Sequence, residues 1–502
     1  MNTPAGQPEP RPPSLLDALI PVIALVVLIA LSVYLFGVDA TEGPLQVALL
    51  LSASIAALVA HKNGHPYLKL SEAAIGGITT AMGAIFILLA VGALIGTWNM
   101  AGTIPTVVYI GIKFLSATWF YLATAAICGL VGAVTGSSWT TAGTLGVAFV
   151  GMAPVMGVSS AIVAGAVISG AYFGDKMTPL SETTIMVPQL VGGLNVYQHI
   201  RSMLWTSLPA FLIALALFGI IGLTGTVSET QAQKDAALHA IEAVYNISWI
   251  NLLPLVLLLV LTIIKLPPFL SIFMSALFAG VLAVFTQPQV VQSVANDPSL
   301  PPLFAAIKAI YSAMAWGHVS TSAYPAIDQL FSRGGMQSML TTIWLILGAL
   351  SFAAIMEHAG FLDRFITPIV GKAKSTGLLI LAVVGTGFGL NVIAGDQYVA
   401  VVLPSRMFRL EFKKRGLAPQ VLSRAVEDSG TVTSVLVPWN TCGAYISGVL
   451  GVSTFAYLPY CFYNILNPII SLIYGFTGFK IDRLPSGEPV SGSTGPQPEP
   501  AG

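Results

Sequence analysis

Apolar residues in this chain do not alternate, nor do they recur every third or fourth position. They come as long unbroken runs, at 18–37, 44–60, 74–98, 119–134, 203–225, 249–264, 269–285, 339–356 and 377–394. Each is close to the roughly 18 residues that let a helix cross about 30 Å of hydrocarbon. The pattern therefore predicts an all-α polytopic membrane protein. Between the runs, polar residues gather in a few dense stretches, and the densest is GAYFGDKMTPLSETTIMVP at 170–188.

Composition agrees: 55% of the 502 residues are hydrophobic and 8% are charged. A soluble domain carries about 25% charged residues, so this chain could not cover a water-facing surface. Its formal net charge of zero points to no nucleic-acid partner. The 3 cysteines, Cys128, Cys442 and Cys461, sit in apolar surroundings without metal-ligand spacing or a disulfide pattern. Walker A, GxSxG and GxGD patterns are missing, so an enzyme or an ATP-driven pump is not indicated, and no cofactor is expected. The ends at 1–14 and 479–502 are polar and rich in proline and glycine, and read as disordered tails.

Lysine and arginine in the short loops set the orientation. Arg11 precedes the first run, Asp39 and Glu42 follow it, and Lys62 and Lys69 follow the second. Arg409, Lys413, Lys414 and Arg415 mark another inner loop, and Lys480 and Arg483 place the C-terminus on the inner side with the N-terminus.

A weak internal repeat divides the chain. The turn Met100-Ala101-Gly102 has a counterpart in His358-Ala359-Gly360, with Arg364, Lys372 and Lys374 putting the second turn on the opposite face. Thr135-Gly136-Ser137-Ser138 then falls opposite Thr386-Gly387-Phe388-Gly389, both too rich in glycine and polar residues to continue a helix smoothly. Last, Asp175, Thr178 and Ser181 match the spacing of Asp428, Thr431 and Ser434. Corresponding turns on opposite faces predict an inverted-topology repeat, with 15–225 and 249–478 as its halves and 226–248 as a polar linker.

On this reading the 170–188 stretch has a purpose. Pro179 removes a backbone donor just after Asp175 and Thr178, which predicts a broken helix at membrane depth. Non-helical backbone is tolerated there only within protein or beside water, and intramembrane carboxylates mark ion or substrate paths. Freed carbonyls, hydroxyls and a carboxylate suit a small hard cation. The bland alternative is an aqueous loop.

The segments GTIPTVVYIG, TGSSWTTAGTLGVA, GAVISGAYFGDKMTPLSETT, GTGFGLNVIAGDQYVAVVLP and RAVEDSGTVTSVLVPWNTCGAY closely resemble the NhaC-type sodium/proton antiporters of the ion transporter superfamily. The resemblance spans nearly all of the chain outside the tails, with Thr178 and Glu182 where serine and aspartate are expected. It implies a secondary transporter of the bacterial inner membrane, exchanging Na+ for H+ by alternating access. It also implies about 10–12 transmembrane helices in two inverted repeats, with interrupted helices and re-entrant hairpins. The ion-binding or proton-coupling residues on this view are Ser137, Ser138, Thr140, Asp175, Thr178, Ser181, Glu182 and Thr183 in the first half. In the second they are Asn391, Asp396, Glu427, Asp428, Thr431, Ser434, Asn440 and Thr441, with Asp175 and Asp428 as Na+ ligands. Relatives that exchange malate for lactate keep a sodium- or proton-coupled organic acid exchanger open as the alternative. An organic anion calls for fixed cations, and the repeat blocks supply Lys176 without an arginine pair, which favours a cation. The partners are then Na+, H+ and the lipid bilayer, and a homodimer stays open.

Other features carry plainer expectations. Ala166, Gly170 and Gly174, like Gly443, Ser447 and Gly451, recur every four residues as helix-packing stripes do. His61, His65, His199 and His239 fall at loop-like positions and read as solvated, and His358 reads as a turn ion pair with Glu357. Lys176 is placed to neutralise its neighbour Asp175, and the 290–335 segment reads as an interfacial connection.

Overall fold

The structure, a computed structural model, describes residues 10–225, 231–320, 328, 330–365 and 373–484. Lys372, the outer parts of both tails and the start of the 226–248 linker lie outside the described residues. The described chain is helical almost throughout. Among the described residues, 8 helices are long and apolar enough to cross a membrane, or up to 10 if each of the two sharply bent helix pairs is one span. The chain is an all-α polytopic membrane protein.

Most of the expected runs become single helices: Leu15–Phe36, Pro44–Lys62, Ala117–Thr135, Val196–Thr224, Pro268–Thr286, Leu340–His358 and Thr376–Ile393. Their ends have local causes. Ser14 Oγ accepts the Asp17 amide at 3.1 Å and Asp17 Oδ2 accepts the Ser14 amide at 3.0 Å, a reciprocal cap that starts the first helix. The 74–98 run is not one span: the chain turns at Ala81 between Tyr67–Thr80 and Met82–Met100. The 249–264 run forms Trp249–Leu252 and Leu253–Ile263, and with the helical end of the linker makes an 87° bend. The connection after residue 286 consists of the short helices Pro288–Ala295 and Pro302–Trp316.

Breaks in the helices fall at four places that surround the centre. Helix Ala117–Thr135 ends on left-handed Gly136 (φ +67°), and Ser137 Oγ restarts the chain by accepting the Thr140 amide at 3.1 Å. Helix Ser160–Lys176 stops before Thr178-Pro179, and Glu182–Val191 begins after Ser181. Helix Thr376–Ile393 ends before left-handed Gly395 (φ +61°), where Asp396 Oδ1 accepts the amides of Tyr398 at 2.8 Å and Val399 at 3.2 Å. Helix Pro419–Val426 widens into a π-helical turn, Glu427–Thr431, and the chain breaks at 437–440 before Asn440 caps Thr441–Leu450.

The break expected at Thr386-Gly387 is therefore absent: the helix runs through it to Ile393. Gly387 serves close approach instead, since a Cβ there would lie 3.0 Å from Ser429 Cβ in the π-helical turn. The two uses of glycine look alike in sequence, and packing decides between them.

The 166–174 stripe does pack as expected. Helix Ser160–Lys176 lies most extensively against Ala117–Thr135, and a Cβ on Gly170 would sit 2.8 Å from the Gly129 amide nitrogen. Gly451 differs: it is the left-handed cap of its helix (φ +66°). Replacing a helical glycine by alanine gains about 1 kcal/mol of intrinsic propensity, whereas overpacking against backbone loses about 1–3 kcal/mol. Backbone cannot move aside as a side chain can, so the loss wins. Gly170→Ala is expected to lower the unfolding midpoint of the detergent-solubilised protein, and an unchanged or raised midpoint would count against this packing.

Candidate functional site: a polar cavity and the charges behind it

The breaks converge on a cavity of about 870 Å³. Of the residues singled out in the sequence, Ser137, Ser138, Thr140, Asp175, Ser181, Glu182, Thr183, Asp396 and Thr441 line it. Asp175 Oδ2 accepts the Ser138 amide at 3.0 Å, so the first two breaks hold each other. Asp396 stays capped by its own helix, and Thr441 Oγ1 donates to its Oδ2 at 3.3 Å. Tyr398 donates its hydroxyl to Glu182, joining helix Gln397–Lys414 to helix Glu182–Val191 across the cavity wall.

Asn391, Ser434, Asn440 and Thr178 brace the breaks. Asn391 Nδ2 donates to the Gly430 carbonyl at 2.7 Å and to Thr433 Oγ1 at 3.0 Å, while Asn440 Nδ2 donates to Asn391 Oδ1 at 3.0 Å. Ser434 Oγ donates to Gln397 Oε1 at 3.1 Å. Thr178 Oγ1 accepts the Leu180 amide at 3.4 Å, inside the turn that Pro179 makes. Opening the π-helical turn is what leaves the Gly430 carbonyl for Asn391.

Behind the wall lies a second, sealed set. Lys176 forms an ion pair with Asp428, both side chains 0% exposed. It also donates to Asn467 Oδ1 at 2.8 Å, and Thr206 Oγ1 donates to Asp428 Oδ1 at 3.1 Å. Lys176 thus neutralises Asp428 and not its neighbour Asp175, because successive helix residues point about 100° apart. Glu427, next to Asp428 on the π-helical turn, is fully buried. Lys176 and Asp175 flank it and the hydroxyls of Thr431 and Thr183 approach it. Yet among the described residues neither of its carboxylate oxygens, nor the Thr431 hydroxyl, has a hydrogen-bond partner within 3.5 Å. Glu427 is the acceptor-rich point of the site: unpaired oxygens at that depth are expensive unless they hold a proton or a cation.

Several residues escaped the sequence reading. Lys265, Glu357 and Arg406 line the cavity, and Asn467 and Asn464 come from the final helix, Phe462–Thr477. Two asparagines three apart in an apolar helix were a usable signal, since polar side chains at membrane depth are functional by default. His199 is not solvated: it lies on helix Val196–Thr224 with 0% exposure. His61 is exposed and stacks on Tyr67, with centroids 4.0 Å apart. His358 packs against His65, centroids 5.4 Å apart, in place of an ion pair with Glu357. Glu357 lines the cavity, and its neighbour His358 packs against His65 of the 61–65 turn.

Comparison with known proteins matches this arrangement to one family. The model of the Na+/H+ antiporter family matches residues 17–192 and 170–479. The Na(+)/H(+) antiporter NhaC of Alkalihalophilus pseudofirmus is 35% identical, over 82% of this chain and 86% of that protein. An uncharacterized Na(+)/H(+) antiporter of Haemophilus influenzae is 33% identical over 94% of this chain and 98% of its own. The malate-2H(+)/Na(+)-lactate antiporter of Bacillus subtilis is also 33% identical, over 93% and 96%. With matches covering nearly the whole span between its tails, the chain belongs to the Na+/H+ antiporter family.

Proposed function

We propose that the protein exchanges Na+ for H+ across the bacterial inner membrane by alternating access, with Glu427 and Asp175 as the exchanging pair. Glu427 carries the reading: it is fully buried, with neither oxygen hydrogen-bonded among the described residues, one layer behind a carboxylate that faces the cavity. An ionised carboxylate there needs a counter-charge, and Lys176 is already held by Asp428. A proton or a sodium ion supplies it, but not both, because binding the cation requires the proton to leave. Competition for one group is sufficient for exchange. Asp428 then serves as the partner of Lys176, and Asp175 as the first ligand the cation meets on entering from the cavity.

Both termini are cytoplasmic on this reading, and the cavity opens inward, since Glu357 on its wall adjoins His358, which packs against His65 in the basic turn after Lys62. The inverted repeat accounts for the order of breaks, with the left-handed glycine and cap at Gly136-Ser137 corresponding to Gly395-Asp396. The break at Ser181 then corresponds to that at Asn440, in place of the Ser434 register that the spacing of Asp175, Thr178 and Ser181 suggested.

A second reading has its own support. Lys265 and Arg406 line a cavity of about 870 Å³, room for an organic anion, and one relative is named for malate and lactate. Purified protein in liposomes, given a sodium gradient and a trapped pH dye, separates the two. Proton movement without any organic substrate is expected. A signal that starts only when malate or lactate is added would replace the sodium/proton reading with organic acid exchange.

A further inference from the structure

Helix Val196–Thr224 carries a polar stripe that the cavity does not use. His199, Ser202, Thr206 and Ser207 are all buried, and their spacing puts them on one face. Along that face His199 Nδ1 lies 2.9 Å from Ser423 Oγ, Ser202 Oγ donates to the Gln420 carbonyl at 3.3 Å, and Thr206 Oγ1 reaches Asp428. Both helices start at the same membrane face, where the Cβ position of Gly193 lies 3.4 Å from Pro419 Cγ. The stripe therefore leads from that face to the Lys176–Asp428 pair. Among the described residues, none of its members belongs to the cavity wall.

His199 stands at the outer end. Among the described residues its buried Nε2 has no hydrogen-bond partner. Lys176 from helix Ser160–Lys176 acts on it, and residues 419–431, which pack against its helix, carry Arg424, Glu427 and Asp428. Helix Phe462–Thr477 adds Tyr463, whose hydroxyl donates to Ser207 Oγ at 3.2 Å. The other two packed helices offer Glu182, on the cavity wall, and Tyr121, which receives the Ser159 amide. Imidazole can accept a proton on one ring nitrogen and release one from the other, and histidines with carboxylates form proton relays in transporters.

We propose that protons reach the buried charges along this stripe, with His199 as the carrier at its entrance, while the cation passes through the cavity. The inference rests on the exchange reading and adds a separate path for each ion. The test compares two fluxes in liposomes: sodium-driven proton movement, and exchange of radiolabelled sodium for sodium at equal concentrations on both sides. His199→Gln, and independently the isosteric Thr206→Val, should slow the first by tenfold or more and leave the second within twofold of wild type. Retained sodium counterflow also shows that each variant is folded. Proton flux unchanged in His199→Gln overturns the separate path, and so does an equal fall in both fluxes, which would make His199 structural. Wild-type protein without sodium-driven proton flux would overturn the exchange reading itself, and this path with it.

Discussion

Glu427→Gln is expected to reduce sodium-driven proton flux to that of empty liposomes while leaving the protein at least as stable as wild type. Glutamine has the shape of the protonated acid and can neither release a proton nor balance a sodium ion. Stability should hold because, among the described residues, the native carboxylate makes no hydrogen bond within 3.5 Å, and a glutamine amide can still accept from the nearby Thr431 and Thr183 hydroxyls. An ionised acid at the centre of a membrane helix costs about 3 kcal/mol on insertion scales, and the amide removes that liability. Asp175→Asn should also suppress flux, but through the approach of the cation: its carboxylate faces the cavity and holds the Ser138 amide. The two variants differ in a measurable way. With Asp175→Asn, raising sodium should restore part of the flux, whereas no sodium concentration should restore it with Glu427→Gln. More than half of the wild-type flux surviving in Glu427→Gln would remove Glu427 from the exchange.

The spans were legible because hydropathy alone decides them: long apolar runs without charge have no other stable place. The break at Pro179 was legible too, since proline and the acidic and hydroxyl residues beside it act locally. What the sequence concealed was direction and distance. Adjacent Asp175 and Lys176 face different environments, one the cavity and the other a sealed ion pair with Asp428. Glycines at 136 and 387 have similar neighbours, yet one ends a helix and the other admits the π-helical turn. His199 looked like a loop residue, and the packing of residues 419–426 and neighbouring helices against its own helix, a tertiary fact, buries it. Lys265 and Arg406 lie in separate parts of the chain, so their shared cavity is a tertiary fact.

The Lys176–Asp428 pair yields the largest expected change in stability. Both side chains are 0% exposed, so their attraction is balanced against the loss of water around two ions. Removing one partner from such a pair leaves a buried charge uncompensated and destabilises by about 3–5 kcal/mol, whereas replacing both by apolar groups of similar volume is neutral or stabilising by about 1–4 kcal/mol. Lys176→Met should therefore lower the unfolding midpoint sharply, leaving Asp428, among the described residues, with Thr206 as its one hydrogen-bond donor. The double variant Lys176→Met/Asp428→Leu should return it to the wild-type value or above. In the double variant Glu427 keeps its place but loses the ion pair through which its proton arrives, so exchange should stay at least tenfold slow in a stable protein. Recovery of stability together with wild-type exchange would reduce the pair to a structural feature. A double variant as unstable as Lys176→Met alone would show that the fold depends on something other than the balance of the two charges.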